Sequence, residues 1–230
     1  MPNPKKNSFW DQLGCGKSDE PKDLSAYSIS ASVQDLIKLL KHLGIRRFHL
    51  YGQSYGGILA YEYMKFICSN KEELNDVECL SAILSGSPTN VKAIEEEADR
   101  LIGVLQESNK DATPEELGTL FQRKHQCRMP EMPEILKEAY ANAGTVWRGT
   151  DAISDYVAKA PSEDAERMPS TLILRGEYDF VSEDSVAYWK QCFNTKFLRF
   201  KTFEGCSHHI CLENGPAYGE TVDSYFAEYD

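Results

Sequence analysis

Apolar residues at Val33, Leu36, Ile37, Leu40 and Leu43 recur at helical spacing and stop at Gly44. They predict an amphipathic helix, opened by Ser32-Val33-Gln34-Asp35 in the manner of a capping box. A short apolar run, Phe48-His49-Leu50-Tyr51, then predicts a strand over about 47–52. Ile58, Leu59, Met64 and Ile67 return to a helical period, and Leu80-Ser81-Ala82-Ile83-Leu84 predicts a second strand over about 80–86. After Ser87-Pro88 the pattern changes. Residues 90–166 read as helices with acidic faces such as Glu95-Glu96-Glu97, interrupted at Pro130, Pro133 and Pro161. Strand patterns resume at Thr171–Gly176 and Lys196–Phe203.

Strand–helix–strand alternation predicts an α/β class fold, a mostly parallel sheet with helices on both faces. The helical block interrupts it between two core strands. The expected organisation is a core in two parts, 1–89 and 167–230, with 90–166 inserted as a helical cap over the active-site edge. The aromatics Tyr140, Trp147 and Tyr156 are expected in the cap's own core.

Composition narrows the function more than the fold. A chain of 230 residues, 41% apolar and 27% charged, can bury a sizeable core. Its net charge of −11 argues against nucleic acid or an anionic membrane as partner, since both are polyanions. No apolar run reaches the length of a membrane span and no secretory leader precedes the first motif, so a cytoplasmic location is expected. The seven cysteines are scattered and include no C-x-x-C pair, as expected for reduced thiols rather than a metal or redox site.

The candidate chemistry begins at Gly52-Gln53-Ser54-Tyr55-Gly56-Gly57, between a predicted strand and a predicted helix. In that context G-x-S-x-G marks a sharp turn that pushes the serine hydroxyl out over the sheet edge. The Tyr55 N–H, at the helix start, is expected to face a developing oxyanion. A Cβ at Gly52 or Gly56 is expected to clash where strand and helix approach. A serine hydroxyl needs a base, and the base needs an orienting acid; here they follow in the order serine, acid, histidine. Among five histidines, His42, His49 and His125 fall on a polar helix side, in a strand and in the helical block, and read as structural. His208 and His209 follow the last strand pattern, and the residues alone do not separate them. Asp179, in the Glu177-Tyr178-Asp179 turn after a buried-strand pattern, is the expected acid ahead of Glu177. Cys206 lacks a strand-to-helix elbow and is not expected to be the nucleophile.

Asp11-Gln12-Leu13-Gly14-Cys15-Gly16-Lys17-Ser18 resembles the loop after the fourth strand of proline iminopeptidases, alpha/beta-hydrolase serine aminopeptidases that remove an N-terminal proline. Four further pieces match in order: GQSYGG at Gly52 to Gly57, His125-Gln126-Cys127-Arg128, Gly176-Glu177-Tyr178-Asp179 and Gly205-Cys206-Ser207-His208. The resemblance implies an alpha/beta-hydrolase fold with Ser54 as nucleophile, Asp179 as acid, His208 rather than His209 as base, and the Tyr55 amide in the oxyanion hole. It implies a small peptide with a free N-terminus as substrate, and no metal or organic cofactor. The chain departs from the family in two places. It has no His-Gly-Gly-Pro-Gly segment, which in the family supplies the second oxyanion donor, so residues 1–230 alone are expected to keep the triad but to be weakly active and poorly soluble. Where relatives place a glutamate for the substrate ammonium, Trp147-Arg148-Gly149-Thr150-Asp151 offers Asp151. The alternatives are an esterase or lipase acting on small acyl esters, and an inactive remnant.

Overall fold

The computed structural model describes residues 7–70, 74, 76–148, 150–161 and 168–230, without the side chains of Thr150 and Asp151. Helix α1 (Ile29–His42) begins earlier than the Ser32 box, because Ser28 is extended and its hydroxyl accepts the Ala31 N–H at 2.9 Å. The Ser32 amide is already a helical donor, to Ser28 O at 3.0 Å, so Ser32 cannot cap. Gly44 takes φ +65° at the other end, and the Ile45 N–H closes back on Leu40 O at 2.9 Å.

Strand β1 (Arg47–Gln53) leads through one residue into α2 (Tyr55–Ser69), and β2 (Glu78–Ser85) follows. The chain then forms α3 (Val91–Ser108), α4 (Pro114–Phe121), a π turn (Gln122–Gln126) and α5 (Glu134–Ala141). It returns to the sheet at β3 (Ser170–Gly176), passes through α6 (Glu183–Ala187) and α7 (Trp189–Cys192), and adds β4 (Leu198–Phe203). The predicted strand over 196–203 is shorter in the structure, since Thr195–Phe197 form a 3-10 turn capped by Asn194. Helices α8 (Ile210–Glu213) and α9 (Gly215–Ala227) complete the chain.

The described strands lie in the order β1-β2-β3-β4, all parallel. Alternate residues face opposite sides. Ala82, Leu84 and Ile173 pack with Ile58, Tyr61 and Met64 of α2 and with Trp189 of α7. Ile83, Leu172 and Leu174 pack on the other face with Tyr218 and Tyr225 of α9. This is the alpha/beta-hydrolase arrangement. Among the described residues, no helix is long and apolar enough to cross a membrane.

Between β2 and β3, Leu105, Leu117 and Phe121 form a small core of their own, against which Phe180 packs. An antiparallel bridge, Asn90 to Val157, joins the start of this segment to its return, flanked by Val91 N–H to Tyr156 O at 3.1 Å and Ala158 N–H to Thr89 O at 2.7 Å. The three aromatics expected in the cap core are not among its residues: the chain after α5 brings Trp147 and Tyr156 back against the main core, and Tyr140 of α5 meets His209. Tyr156 is buried in the main core with its hydroxyl donating to Glu62 at 3.2 Å. Trp147 stacks on Tyr27 and meets Tyr55 edge-on, and Tyr140 bonds His209.

Candidate active site

The parallel register places Gln53 opposite Ser85, Ser85 opposite Leu174, and Gly176 opposite Phe203. All four strands therefore end at one edge, and each sequence-predicted triad residue follows one of those ends.

Ser54 has φ 52° and ψ −120°, the one non-glycine residue with positive φ among those described. Such a conformation costs about 1–3 kcal/mol and persists only where its surroundings enforce it. The Ser54 N–H donates to Ser85 O at 2.9 Å, and the Ser54 carbonyl accepts the Gly57 N–H at 3.0 Å. Its hydroxyl does not cap the helix. A Cβ on Gly52 would come 2.1 Å from Gly56 O, as the motif required. Gly56, expected to be equally constrained, is not: a Cβ there meets nothing within 4 Å. The crowded position is Gly57, whose Cβ would fall 2.4 Å from the Ser87 Cβ, because that side of α2 turns toward the loop after β2. As the first residue of α2, Tyr55 has no intrahelical acceptor for its N–H. Its ring packs edge-on against Trp147, and burial pushes its phenol up to about 12.

Asp179 is fully enclosed, and its Oδ1 accepts the Val181 N–H and the His208 Nδ1–H, each at 2.9 Å. Glu177 is instead exposed and accepts the Gly205 N–H at 2.8 Å. Because a carboxylate only accepts, the bond fixes the proton on His208 Nδ1 and leaves the lone pair of the neutral ring on Nε2. The Phe180 ring lies 4.6 Å from the His208 ring and shields it.

The structure also separates the two histidines. Gln53 Nε2 donates to His208 O at 3.0 Å and to His209 Nδ1 at 3.1 Å, so His209 carries its proton on Nε2 and donates to the Tyr140 hydroxyl at 3.2 Å. Burial, helped by the adjacent His208, lowers the His209 pKa to about 4. Both its nitrogens are occupied and it does not touch Asp179. Cys206 is buried, with its thiol pushed up chiefly by desolvation.

Three further residues beside the candidate site were given no role from the sequence. Gly86, at φ +52°, lies so close that a Cβ would sit 2.9 Å from both Asp179 Oδ2 and His208 Nδ1. Gln53 ties the elbow to the histidine loop. Glu213 accepts the Ser207 N–H and Oγ–H, each at 2.5 Å. A glycine ending a core strand was the one available hint, at Gly86. The Asp11–Ser18 loop docks on the return from α5, with the Gly16 N–H on Asn142 O at 2.9 Å. Just beyond it, Glu20 accepts from the Thr145 N–H and hydroxyl and the Val146 N–H. Asp151 belongs to the 3-10 turn Thr150–Ile153, and its side chain lies outside the described residues.

Residues 10–215 match the family described as alpha/beta hydrolase fold. The proline iminopeptidase of Lactobacillus crispatus is 39% identical, aligned over 96% of this chain and 80% of its own length. That of Saccharolobus solfataricus is 31% identical over 94% of this chain and 74% of its own. The crystal structure of a Mycobacterium smegmatis proline iminopeptidase superposes with a TM-score of 0.74 at 21% identity, covering 95% of this chain and 78% of that one, a likeness of fold. Family match and relatives extend over nearly the whole chain, which therefore belongs to the proline iminopeptidase family of alpha/beta hydrolases.

Proposed function

We propose that the chain is a cytoplasmic serine aminopeptidase that releases an N-terminal residue, preferentially proline, from small peptides. The observation that carries this reading is the pairing of a left-handed Ser54 at the β1–α2 junction with a buried 2.9 Å Asp179–His208 hydrogen bond at the same sheet edge. His208 Nε2 takes the hydroxyl proton as Ser54 Oγ attacks the first peptide carbonyl, and Asp179 holds the imidazolium that forms. The tetrahedral oxyanion is stabilised by the Tyr55 N–H. As the intermediate collapses, His208 gives its proton to the leaving amine, and an ester links the released residue to Ser54. Water, deprotonated by His208, then hydrolyses that ester. The substrate ammonium is assigned to a carboxylate of the 90–166 segment, with Asp151 the first to test.

A fluorophosphonate probe tests the nucleophile. Labelling is expected at Ser54, and Ser54→Ala should abolish both labelling and turnover of a prolyl arylamide. Labelling that persists in that variant, or that moves to Cys206, would remove Ser54 from the mechanism. Turnover of p-nitrophenyl esters without prolyl arylamides would make the enzyme an esterase, and turnover of neither would make the chain non-catalytic.

A further inference from the structure

The cap segment that follows α4 grips both loops of the acid–base pair. Its π turn ends with the Cys127 N–H on Gln122 O at 2.8 Å, an i to i+5 closure of the kind that recurs at functional sites. His125 is buried there, and its Nδ1–H donates to Tyr178 O at 2.8 Å. The Arg128 guanidinium lies 3.9 Å over the centre of the Tyr178 ring, within cation–π range. Cap residues thus hold Tyr178, the residue before Asp179, by its backbone and by its ring.

The same segment holds the residues on either side of His208. Gln126 O accepts the His209 N–H at 3.0 Å. The Arg128 N–H donates at 3.1 Å to Glu213, the carboxylate that also accepts the Ser207 amide and hydroxyl. Outside the cap, the two loops also meet through Tyr178 N–H to Cys206 O at 2.9 Å, Glu177 N–H to Phe203 O at 3.0 Å, Gly205 N–H to the Glu177 carboxylate at 2.8 Å and the acid–base bond itself. We infer that His125–Arg128, joined by Glu213, is a clamp that sets the register between Asp179 and His208. His125 and Glu213 are then positioning residues, and the cap is part of the acid–base pair as well as its cover. This inference rests on the reading of Asp179 and His208 as acid and base.

The test uses the full chain and the variants His125→Ala, His125→Asn and Glu213→Gln. Asparagine keeps an amide donor near the position of Nδ1. Glutamine keeps the shape of Glu213 but turns one acceptor oxygen into a donor facing another donor. Three readouts are taken: the second-order rate of fluorophosphonate labelling at Ser54, kcat and KM separately, and the downfield proton resonance of His208 Nδ1, assigned by its loss in His208→Gln. Labelling and kcat should fall roughly 30-fold in His125→Ala and Glu213→Gln with KM little changed, as sub-ångström misplacement of catalytic groups does. The resonance should broaden or shift, and His125→Asn should recover most of the rate. If His125→Ala is not folded, Glu213→Gln and the asparagine variant decide. Labelling within about twofold of wild type in Glu213→Gln, with an unchanged resonance, would overturn the clamp. If wild type shows the resonance but is never labelled, the serine-hydrolase reading fails instead, and the resonance in the variants still decides the clamp.

Discussion

Gly86→Ala gives a sharp test of the site, because the structure fixes what the added methyl meets. Its Cβ would lie 2.9 Å from Asp179 Oδ2 and from His208 Nδ1, and 3.0 Å from the His208 Cε1. Comfortable separations are near 3.5 Å, so the pair must retreat by roughly half an ångström or the backbone must move. The backbone is pinned: the Gly86 N–H donates to Leu174 O at 2.8 Å, and the preceding Ser85 carbonyl holds the Ser54 N–H. Any shift of residues 85–86 is therefore passed to the elbow. Alanine at φ +52° costs about 1 kcal/mol, and overpacking adds about 1–2 kcal/mol. For a chain of this size that lowers Tm by roughly 4–12 °C. The loss in activity should be larger, about 10²-fold in kcat, measured well below the lowered Tm with a prolyl arylamide and by fluorophosphonate labelling. Gly103→Ala is the control, since a Cβ there meets nothing within 4 Å and helical alanine is favoured over glycine. Wild-type kcat in a folded Gly86→Ala protein would show that Asp179 and His208 do not work in the arrangement described.

His208→Ala should lose at least about 10³-fold in kcat and His209→Ala far less, because His209 is held by Gln53 and Tyr140 and not by the acid; reversed effects would exchange the roles. Acid should destabilise the protein through His209: its folded pKa of about 4 lies below the unfolded value near 6.5, so between these pH values the unfolded state binds more protons. Its contribution is complete above the unfolded pKa and is lost as pH falls toward 4, and buried His125, also lowered by desolvation, acts in the same direction. Chemical denaturation from pH 7 to 4 should show a slope for wild type exceeding that of His209→Gln by up to about 1.4 kcal/mol per pH unit, and parallel curves would contradict a buried neutral His209. Acetylating the substrate's N-terminus should abolish turnover by leaving a carboxylate without its cationic partner. Equal rates on free and acetylated peptides would point to an esterase or an endopeptidase.

What the sequence revealed and what it hid divide along a physical line. Ser54 was legible because an elbow is local: strand, G-x-S-x-G and helix are all contained in a short stretch of chain. Asp179 was legible as a carboxylate just past a buried strand, and the structure places it on His208. The residues alone did not separate His208 from His209, and only the family resemblance pointed to His208, since both stand in one loop and their partners lie far away in the chain, Asp179 for one and Gln53 with Tyr140 for the other. The helix start moved from Ser32 to Ser28 because two serines four positions apart both fit a cap, and only the backbone shows which amide is still unpaired. The expectation of a clash at Gly56 failed for a related reason. The pentapeptide identifies the turn, but Ser87 on the neighbouring strand's loop decides which glycine is crowded. The clamp of His125, Arg128 and Glu213 was hidden because each of its bonds crosses between segments.

The strand order accounts for why β2, which is followed by none of Ser54, Asp179 and His208, still shapes the candidate site. Adjacent parallel strands lie about 4.8 Å apart, so the loop after β2 necessarily runs between the one carrying Ser54 and the one carrying Asp179. The His208 ring reaches back from β4 past β3 to that same space. A side chain on the first residue beyond β2 would occupy the volume of the imidazole, so the position demands a residue without one, and Gly86 supplies it. The next residues take other tasks: Ser87 O accepts the Trp189 indole N–H at 3.0 Å, and the Thr89 hydroxyl donates to Ser185 O at 2.8 Å. These bonds tie the loop after β2 to α6 and α7 before α3 begins. The segment that leaves room for the His208 ring is thus the one from which residues 90–166 depart, and they return beside His208 at His125–Arg128. Displacing the cap from either end should therefore reach His208, from Gly86 through steric contact and from Arg128 through the Glu213 carboxylate.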